Sequence, residues 1–498
     1  MTGPVICVVG AGTAGLEALL AAREELGPDA ELRLIAPERD FRYRPMSHDS
    51  LFRPAQERSL AIADVVAEAG ATWVADRAEV VRQAERTVLT RDGDTVDFDF
   101  LLLAPGVRSK RALSQGYIWQ RGGDPGFLDQ IISDIRTGDA RSVAVVVPRG
   151  VRWPVPAYEL ALVLAWAVRP TPAQVTLITA EEQPLGALGS AATEAVVREL
   201  DAAGIKVIAG VEVVDEPRRD GEPEHGGDPH VLAGVMLVAE QPGEPDALIG
   251  KPTDPATVRM GAGASAQFDR MISLPTVVGP FIAGVRTDAI GFVEVDETLK
   301  VCGSERVWAA GGCVAAALEH SALGARQADT AMAAIAAATG TGSASSSGPV
   351  ELTGMILTGQ RDRWAAENPA GTHEPSTRCL WWPPGRAVGR MLAKRIAAWD
   401  PSVQDALPRH PEGLVLRVPI ALGCSGAAPA GPIDEVSADV KSARLLDIEH
   451  RQLMAVRRRE QAAEAELRGL SARLRFLTDR QHEAVRELQQ HGYLHDHP

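Results

Sequence analysis

The opening of the chain leaves few folds available to it. "VICVVG" ending at Gly10 is an apolar β-type run, "GAGTAG" at 10–15 follows without a break, "LEALLAAREEL" has a helical pattern and "AELRLIAP" is a second β-type run. Strand, glycine turn, helix and strand in that order make a βαβ unit, which requires a parallel sheet covered by helices. Gly10, Gly12 and Gly15 have the G-x-G-x-x-G spacing. The first glycine makes the turn, the second admits a diphosphate to bare backbone, and the third lets the helix pack close to the strand, with its N-terminal N–H groups facing the anion. The pattern alone is weak, and its place between a strand and a helix gives it weight. The expectation is a diphosphate cradled here, against the plainer reading of a tight turn without a ligand. An acidic residue usually closes the second strand of such a unit, but here Ala36 follows "RLI" and Glu38 comes two positions later. Glu38 is either a partner for ribose hydroxyls or a solvated loop charge.

The theme returns further along. "SVAVVV", a helix through "AYELALVLAWAV", "QVTLIT", a helix through "AATEAVVRELDAAG" and "IKVIAG" predict a second doubly wound unit over 142–212. Between the two, residues 73–103 read as short strands with "RDGD" as a hairpin turn. The Pro-, Gly- and charge-rich string at 215–230 reads as a surface loop. β character resumes over 291–312, an Ala-rich helix over 322–338 follows, and "TGTGSASSSG" at 339–348 is a flexible linker. From about residue 434 the composition changes to Arg, Glu, Gln and Leu. Ten of thirteen positions at alternating steps of three and four between 446 and 488 are apolar, which predicts a coiled-coil seam and a homo-oligomer joined through it. Folding back onto the body and a foreign partner are the other readings of that stripe.

Charge and cysteine content exclude other classes. Lys plus Arg is 51 and Asp plus Glu is 66, a net charge of −15, and no basic stripe offsets it, so nucleic acid is not an expected partner. The five cysteines are far apart with no C-x-x-C, which predicts neither a zinc site nor a thioredoxin-like pair, and fits a reducing cytoplasm. No run of eighteen apolar residues predicts a transmembrane helix, although peripheral membrane contact stays open, and the early start of the first strand leaves no room for a signal peptide.

"GAGTAGLEAL", "FRYRP" at 41–45, "FLLLAPGVR" at 100–108 and "GFVEVDETLKVCGSERVWAAGG" at 291–312 together resemble the FAD-dependent oxidoreductases with two dinucleotide-binding domains. The resemblance is nearest to the sulfide:quinone oxidoreductase and flavocytochrome c sulfide dehydrogenase branch, more distantly to type II NADH dehydrogenases, and covers about residues 4–395. It implies FAD as cofactor, lined by Gly10, Gly12, Gly15, Ala104, Pro105, Gly106, Gly311 and Gly312, with Arg42 and Pro45 near it and Val80 meeting the adenine through its backbone. Three departures stand out. Gly312 takes the place of an aspartate that in the family hydrogen-bonds a ribityl hydroxyl, a loss of about ten- to a hundredfold in affinity. The second unit reads "PRGVRWPVPAYE" at 148–159, where Pro148 and Pro154 lack amide donors and Trp153 fills the space a pyrophosphate would need. A nicotinamide nucleotide is not expected to bind there in the usual way. Trp153 also stands where the sulfide-oxidising branch carries a redox cysteine, and Cys302, Cys313, Cys379 and Cys424 read as inert thiols or small hydrophobes.

No H-E-x-x-H, G-x-S-x-G or Walker loop occurs, and no metal site or catalytic residue is assigned. Trp381 and Trp382 are candidates either for stacking on a planar acceptor or for a core or interface role. The expected fold is α/β: two doubly wound, Rossmann-like domains, a small C-terminal segment and a coiled-coil helix. The expected boundaries are 1–140 for the first part of an FAD-binding domain, 141–280 for a degenerate second domain, 281–338 for the return to the first, 339–349 for the linker, 350–432 for the C-terminal segment and 433–498 for the tail. The expected function is an FAD-dependent oxidoreductase passing electrons from an unidentified donor to a quinone-like or protein acceptor. The alternatives are a non-catalytic scaffold of the same fold and an NAD(P)H dehydrogenase with an atypical nucleotide pose.

Overall fold

A computed structural model of the chain describes residues 3–43, 58–113, 115–119, 126–169, 171–214, 256–260, 264–340, 350–357, 380–382, 389–398 and 413–424. Pro45, Cys379, the 215–230 loop, the linker at 341–349 and the heptad tail at 446–488 lie outside the described residues. The chain divides into two units, Met1–Leu89 with Val96–Pro429, and Thr90–Thr95 with Ala430–Pro498; all that follows concerns the first.

Strand β1 (Val5–Val9) leads through the glycine turn into helix α1 (Thr13–Leu26), then β2 (Glu31–Ile35), β3 (Ala71–Val74) and β4 (Phe100–Leu103). Ile6, Cys7 and Val8 are fully buried, as a strand covered on both faces requires. Strand β5 (Tyr117–Ile118) opens a second sheet, with β6 (Ser142–Val147), helix α2 (Val155–Ala167), β7 (Gln174–Thr179), helix α3 (Ser190–Ala202), β8 (Lys206–Ile208) and β9 (Arg270–Ser273). Every residue of α2 except Trp166 is buried, so its lack of a polar face reflects packing on all sides. Strand β10 (Val307–Ala309) and helix α4 (Ser321–Thr339) then return to the first sheet. The chain continues as β11 (Glu351–Leu357), β12 (Trp381–Trp382), helix α5 (Arg390–Ile396) and β13 (Gly413–Pro419).

The first sheet has the order β10-β4-β1-β2-β3 and the second β5-β9-β6-β7-β8, and every pairing in both is parallel. This is the α/β architecture with Rossmann-like parallel sheets that the alternating pattern predicts. The parallel order matters because it brings the carboxyl ends of β10, β4 and β1 together. Ala310 N–H donates to Leu103 O, Ala104 N–H to Val9 O, and Gly10 N–H to Ile35 O, so the turns after these strands start side by side.

The C-terminal strands form an antiparallel sheet of order β12-β11-β13. Trp381 is buried, with its ring on Gly354, where a Cβ would collide with it. Buried Glu159 of α2 accepts from Leu380 N–H at 2.8 Å and Trp381 N–H at 3.3 Å. Buried Glu17 of α1 accepts from Met391 N–H at 2.6 Å and Leu392 N–H at 2.9 Å, at the start of α5. Two acidic side chains from separate helices therefore anchor this segment.

The cysteines require a correction. Cys302 and Cys424 form a disulfide across 122 residues of sequence, so they are neither free thiols nor packing hydrophobes. Spacing could not show this, because the partners lie on segments joined only in the fold. Cys313 is a buried thiol as expected and Cys7, in β1, is another, both pushed up to about 12 by burial.

Candidate functional site

The three glycines of the first turn divide into two roles. A Cβ on Gly10 would run into Ala104 O, and Gly10 sits at φ +97°, so glycine is needed for both space and conformation. A Cβ on Gly15 would run into Gly10 O, which shows how closely α1 approaches the strand. Gly12 is different, because nothing lies within 4 Å of its Cβ direction. It is the N-cap of α1, whose first N–H groups have no partner within the helix. An open face at a helix N-terminus is what an anionic ligand requires.

The neighbouring turns complete one edge. Ala104, Pro105 and Gly106 follow β4, and Gly106, at φ +74°, also faces open space. Gly311 follows Ala310, has φ +83°, and donates its N–H to Gln327 Oε1 at 2.7 Å. A Cβ there would sit 3.0 Å from Ala14 Cβ, so the β10 turn packs directly on the first turn of α1. The fold thus brings together Gly10, Gly12, Gly15, Ala104, Pro105, Gly106, Gly311 and Gly312. Glu38 is exposed in the turn after β2, which Trp73 holds through a bond from its indole N–H to Ala36 O at 2.9 Å. Arg42 is exposed on the short strand Asp40–Tyr43. Val80 lies in the strand Ala78–Arg82, bridged in parallel to Ala283.

The corresponding turn of the second sheet is built from other materials. Pro148 follows β6, Pro154 caps α2 and Pro156 lies in its first turn, so three N–H groups are missing where an anion would look for them. The Trp153 ring packs 4.6 Å from that of His320 and meets Trp381 edge-on at 5.2 Å. His320 Nδ1 accepts from Ala322 N–H at 3.2 Å, capping α4, which places the imidazole proton on Nε2 in the neutral form. Just beyond β7, where such a unit carries its ribose-binding acid, Glu181 is engaged: Tyr158 OH donates to it at 2.6 Å and Thr179 Oγ1 at 3.1 Å. Burial raises the Glu181 pKa against those bonds. Burial, reinforced by the Glu181 charge, raises that of Tyr158.

Sequence reading missed Arg152 and Glu319. The Arg152 guanidinium donates to Gly312 O at 3.1 Å, to Val314 O at 2.6 Å and to Ala316 O, and lies 4.1 Å above the Phe292 ring. Burial pushes the Arg152 pKa down, and the Glu319 carboxylate opposes the shift. Glu319 N–H in turn donates to Arg152 O at 3.0 Å. The second turn therefore braces the loop after β10. No local pattern announces this, because the carbonyls that Arg152 binds lie 160 to 164 residues away. The stacking reading of Trp381 is corrected, since its ring is enclosed by Gly354 and Trp153.

Residues 4–338 match the family described as pyridine nucleotide-disulphide oxidoreductase. The chain belongs to this family, the FAD-dependent oxidoreductases that its motifs resemble. Two of the proteins it is similar to are sulfide:quinone oxidoreductases. A stretch of 106 residues, 20% of this chain, is 27% identical to the mitochondrial sulfide:quinone oxidoreductase of Dictyostelium discoideum and spans 23% of that protein. The fold is similar to the X-ray structure of the sulfide:quinone oxidoreductase from Aquifex aeolicus, with a TM-score of 0.53 and 18% identity over 67% of this chain and 76% of that one. None of the described helices is long and apolar enough to cross a membrane.

Proposed function

We propose that the chain is an FAD-dependent oxidoreductase whose diphosphate site is the turn from Gly10 to Gly15, and whose electron donor is not NAD(P)H held at the second turn. The observation that carries this is the contrast between two turns of like topology. The first presents open backbone at Gly12 and the N-terminus of α1. The second is lined by prolines, filled by Trp153 and deprived of Glu181. Ala104, Pro105, Gly106, Gly311 and Gly312 extend the first site along the sheet edge, with Arg42, Pro45, Glu38 and Val80 as outlying contacts. When bound, FAD supplies the electron transfer, and the chain's residues bind and orient it. The acceptor is a quinone-like molecule or a redox protein. Sulfide is not the donor we propose, because Trp153 replaces the cysteine and Cys313 beside the site is a buried thiol. Residues 446–488 join copies of the chain.

The purified protein, with FAD added if it emerges colourless, should show flavin absorption. Anaerobic stopped-flow mixing with NADH and NADPH should leave that absorption unbleached, while a chemically reduced sample should be reoxidised by a short-chain quinone. Rapid bleaching by either nucleotide overturns the donor assignment, and a chain that takes up no FAD overturns the whole reading. Light scattering should give a mass above one chain, falling on removal of residues 434–498.

A further inference from the structure

Gly312 has no positive φ, so its backbone would accept any side chain, in contrast to Gly311. What requires glycine there is space. A Cβ at 312 would lie 3.0 Å from Val107 Cγ1, 3.1 Å from Glu319 Oε1 and 3.3 Å from Glu319 Cδ. A carboxylate delivered from the far end of the loop therefore occupies the volume that a side chain at 312 would fill. The backbone that carries it is held on both sides: Glu319 N–H is bound to Arg152 O, and the next residue, His320, caps α4.

The position sets what this carboxylate can recognise. The turns after β1, β4 and β10 lie side by side in the order of the sheet, and ligands of such folds lie outside the carboxyl ends of the strands. A ligand whose diphosphate sits at Gly12 continues past Gly106 towards Gly312. At that end an acceptor-only anion replaces the donor-rich helix terminus, and such a group repels phosphate and pairs with hydroxyl donors. In FAD the segment next to the diphosphate on the flavin side is a chain of hydroxyls.

We propose that Glu319 is the hydroxyl-binding residue of the cofactor site, its carboxylate accepting from the ribityl chain beside Gly312. This rests on the FAD reading above and supplies from position 319 the acceptor that position 312 lacks. Glycine at 312 and glutamate at 319 are then one device, since a second side chain would compete for the same volume.

The test is a set of FAD titrations of the stripped full chain, followed by flavin fluorescence, with ADP titrated in parallel. ADP carries the diphosphate but no ribityl chain. Glu319→Ala should weaken FAD by about ten- to a hundredfold, while ADP affinity stays within about twofold. Glu319→Gln, which keeps one acceptor oxygen and nearly the same volume, should fall between. Gly312→Asp alone should gain nothing, whereas Gly312→Asp with Glu319→Ala should recover most of the loss. Unchanged FAD affinity in Glu319→Ala overturns the proposal, as does an equal loss for FAD and ADP, which would mark a merely structural role. If the unaltered chain binds ADP but never FAD, the FAD reading fails and takes this one with it.

Discussion

Gly12 and Gly15 stand three residues apart on one turn, and the structure separates their duties. Alanine at 15 places a methyl group against Gly10 O, a backbone atom that cannot swing aside. Overpacking of this kind costs about 1–3 kcal/mol, and a backbone obstacle puts it at the upper end. The helix-propensity gain of about 1 kcal/mol offsets part of that, leaving a net loss of about 2 kcal/mol. Alanine at 12 meets nothing within 4 Å, and the native φ of −76° suits it. Its cost is that of a poorer N-cap, about 0.5–1 kcal/mol. The order reverses for the ligand. A methyl group at 12 stands in the diphosphate's approach and blocks charge-assisted bonds of about 1.5–3 kcal/mol each, so losing two lowers FAD affinity at least a hundredfold. Urea denaturation of the stripped protein and FAD titration measure the two effects separately. The reasoning is refuted if Gly12→Ala destabilises the stripped protein as much as Gly15→Ala, or if it binds FAD as tightly as the unaltered chain.

Three further outcomes follow from other parts of the molecule. Arg152→Met keeps the aliphatic stem but removes both the guanidinium over Phe292 and the donors to three carbonyls, and should cost about 3–5 kcal/mol in thermal or urea unfolding. Burial, then the Glu17 and Glu25 carboxylates, push Asp329 of α4 up to about 7. Between its ordinary pKa near 4 and that value the folded chain holds a proton the unfolded chain has released, so stability falls as pH rises through this window. Asp329→Asn should therefore raise stability by roughly 1–2 kcal/mol at pH 8, after allowance for screening, and the gain should vanish near pH 4. Alkylation in denaturant without reductant should leave Cys302 and Cys424 unmodified while labelling Cys7 and Cys313. Cys302→Ser, by opening a loop of 122 residues, should lower stability by up to about 4–5 kcal/mol, and an unchanged melting curve would contradict that account.

The parts of this architecture that sequence could reveal are those set by local order. β1, the glycine turn, α1 and β2 follow from an apolar run, a spacing and a periodicity, all within about thirty residues. The same holds for β6, α2 and β7, and for the bulk of Trp153 in the second turn. The partners of that indole were not legible, because His320 and Trp381 reach it through α4 and the C-terminal sheet. Arg152 and Glu319 were missed for the same reason: each acts on a backbone segment remote in sequence. The disulfide was hidden because spacing carries no pairing information. The Trp-Trp-Pro-Pro string left Trp381 open between stacking on an acceptor and a core or interface role, and what decides it is Gly354, on another strand, which leaves room for the buried ring.

The second turn is also closed more thoroughly than one bulky residue could achieve. Removing the indole in Trp153→Gly would free volume next to His320 and Trp381. Pro148, Pro154 and Pro156 would still offer no N–H, and the Ala157 amide already donates to Pro154 O, so the α2 terminus has little left to give a phosphate. Glu181 would stay bound to Tyr158 OH and Thr179 Oγ1, out of reach of a ribose. Arg152, the cation nearest in sequence, would remain engaged with the loop after β10. Donors, acid and cation have each been committed elsewhere, so opening the space creates a void without creating a nucleotide site. Isothermal titration of Trp153→Gly with NADH should accordingly detect no binding, together with a loss of about 3–5 kcal/mol in stability from the vacated packing. Recovery of NADH binding by that single change would mean that volume alone had closed the site, and the account of its other residues would be wrong.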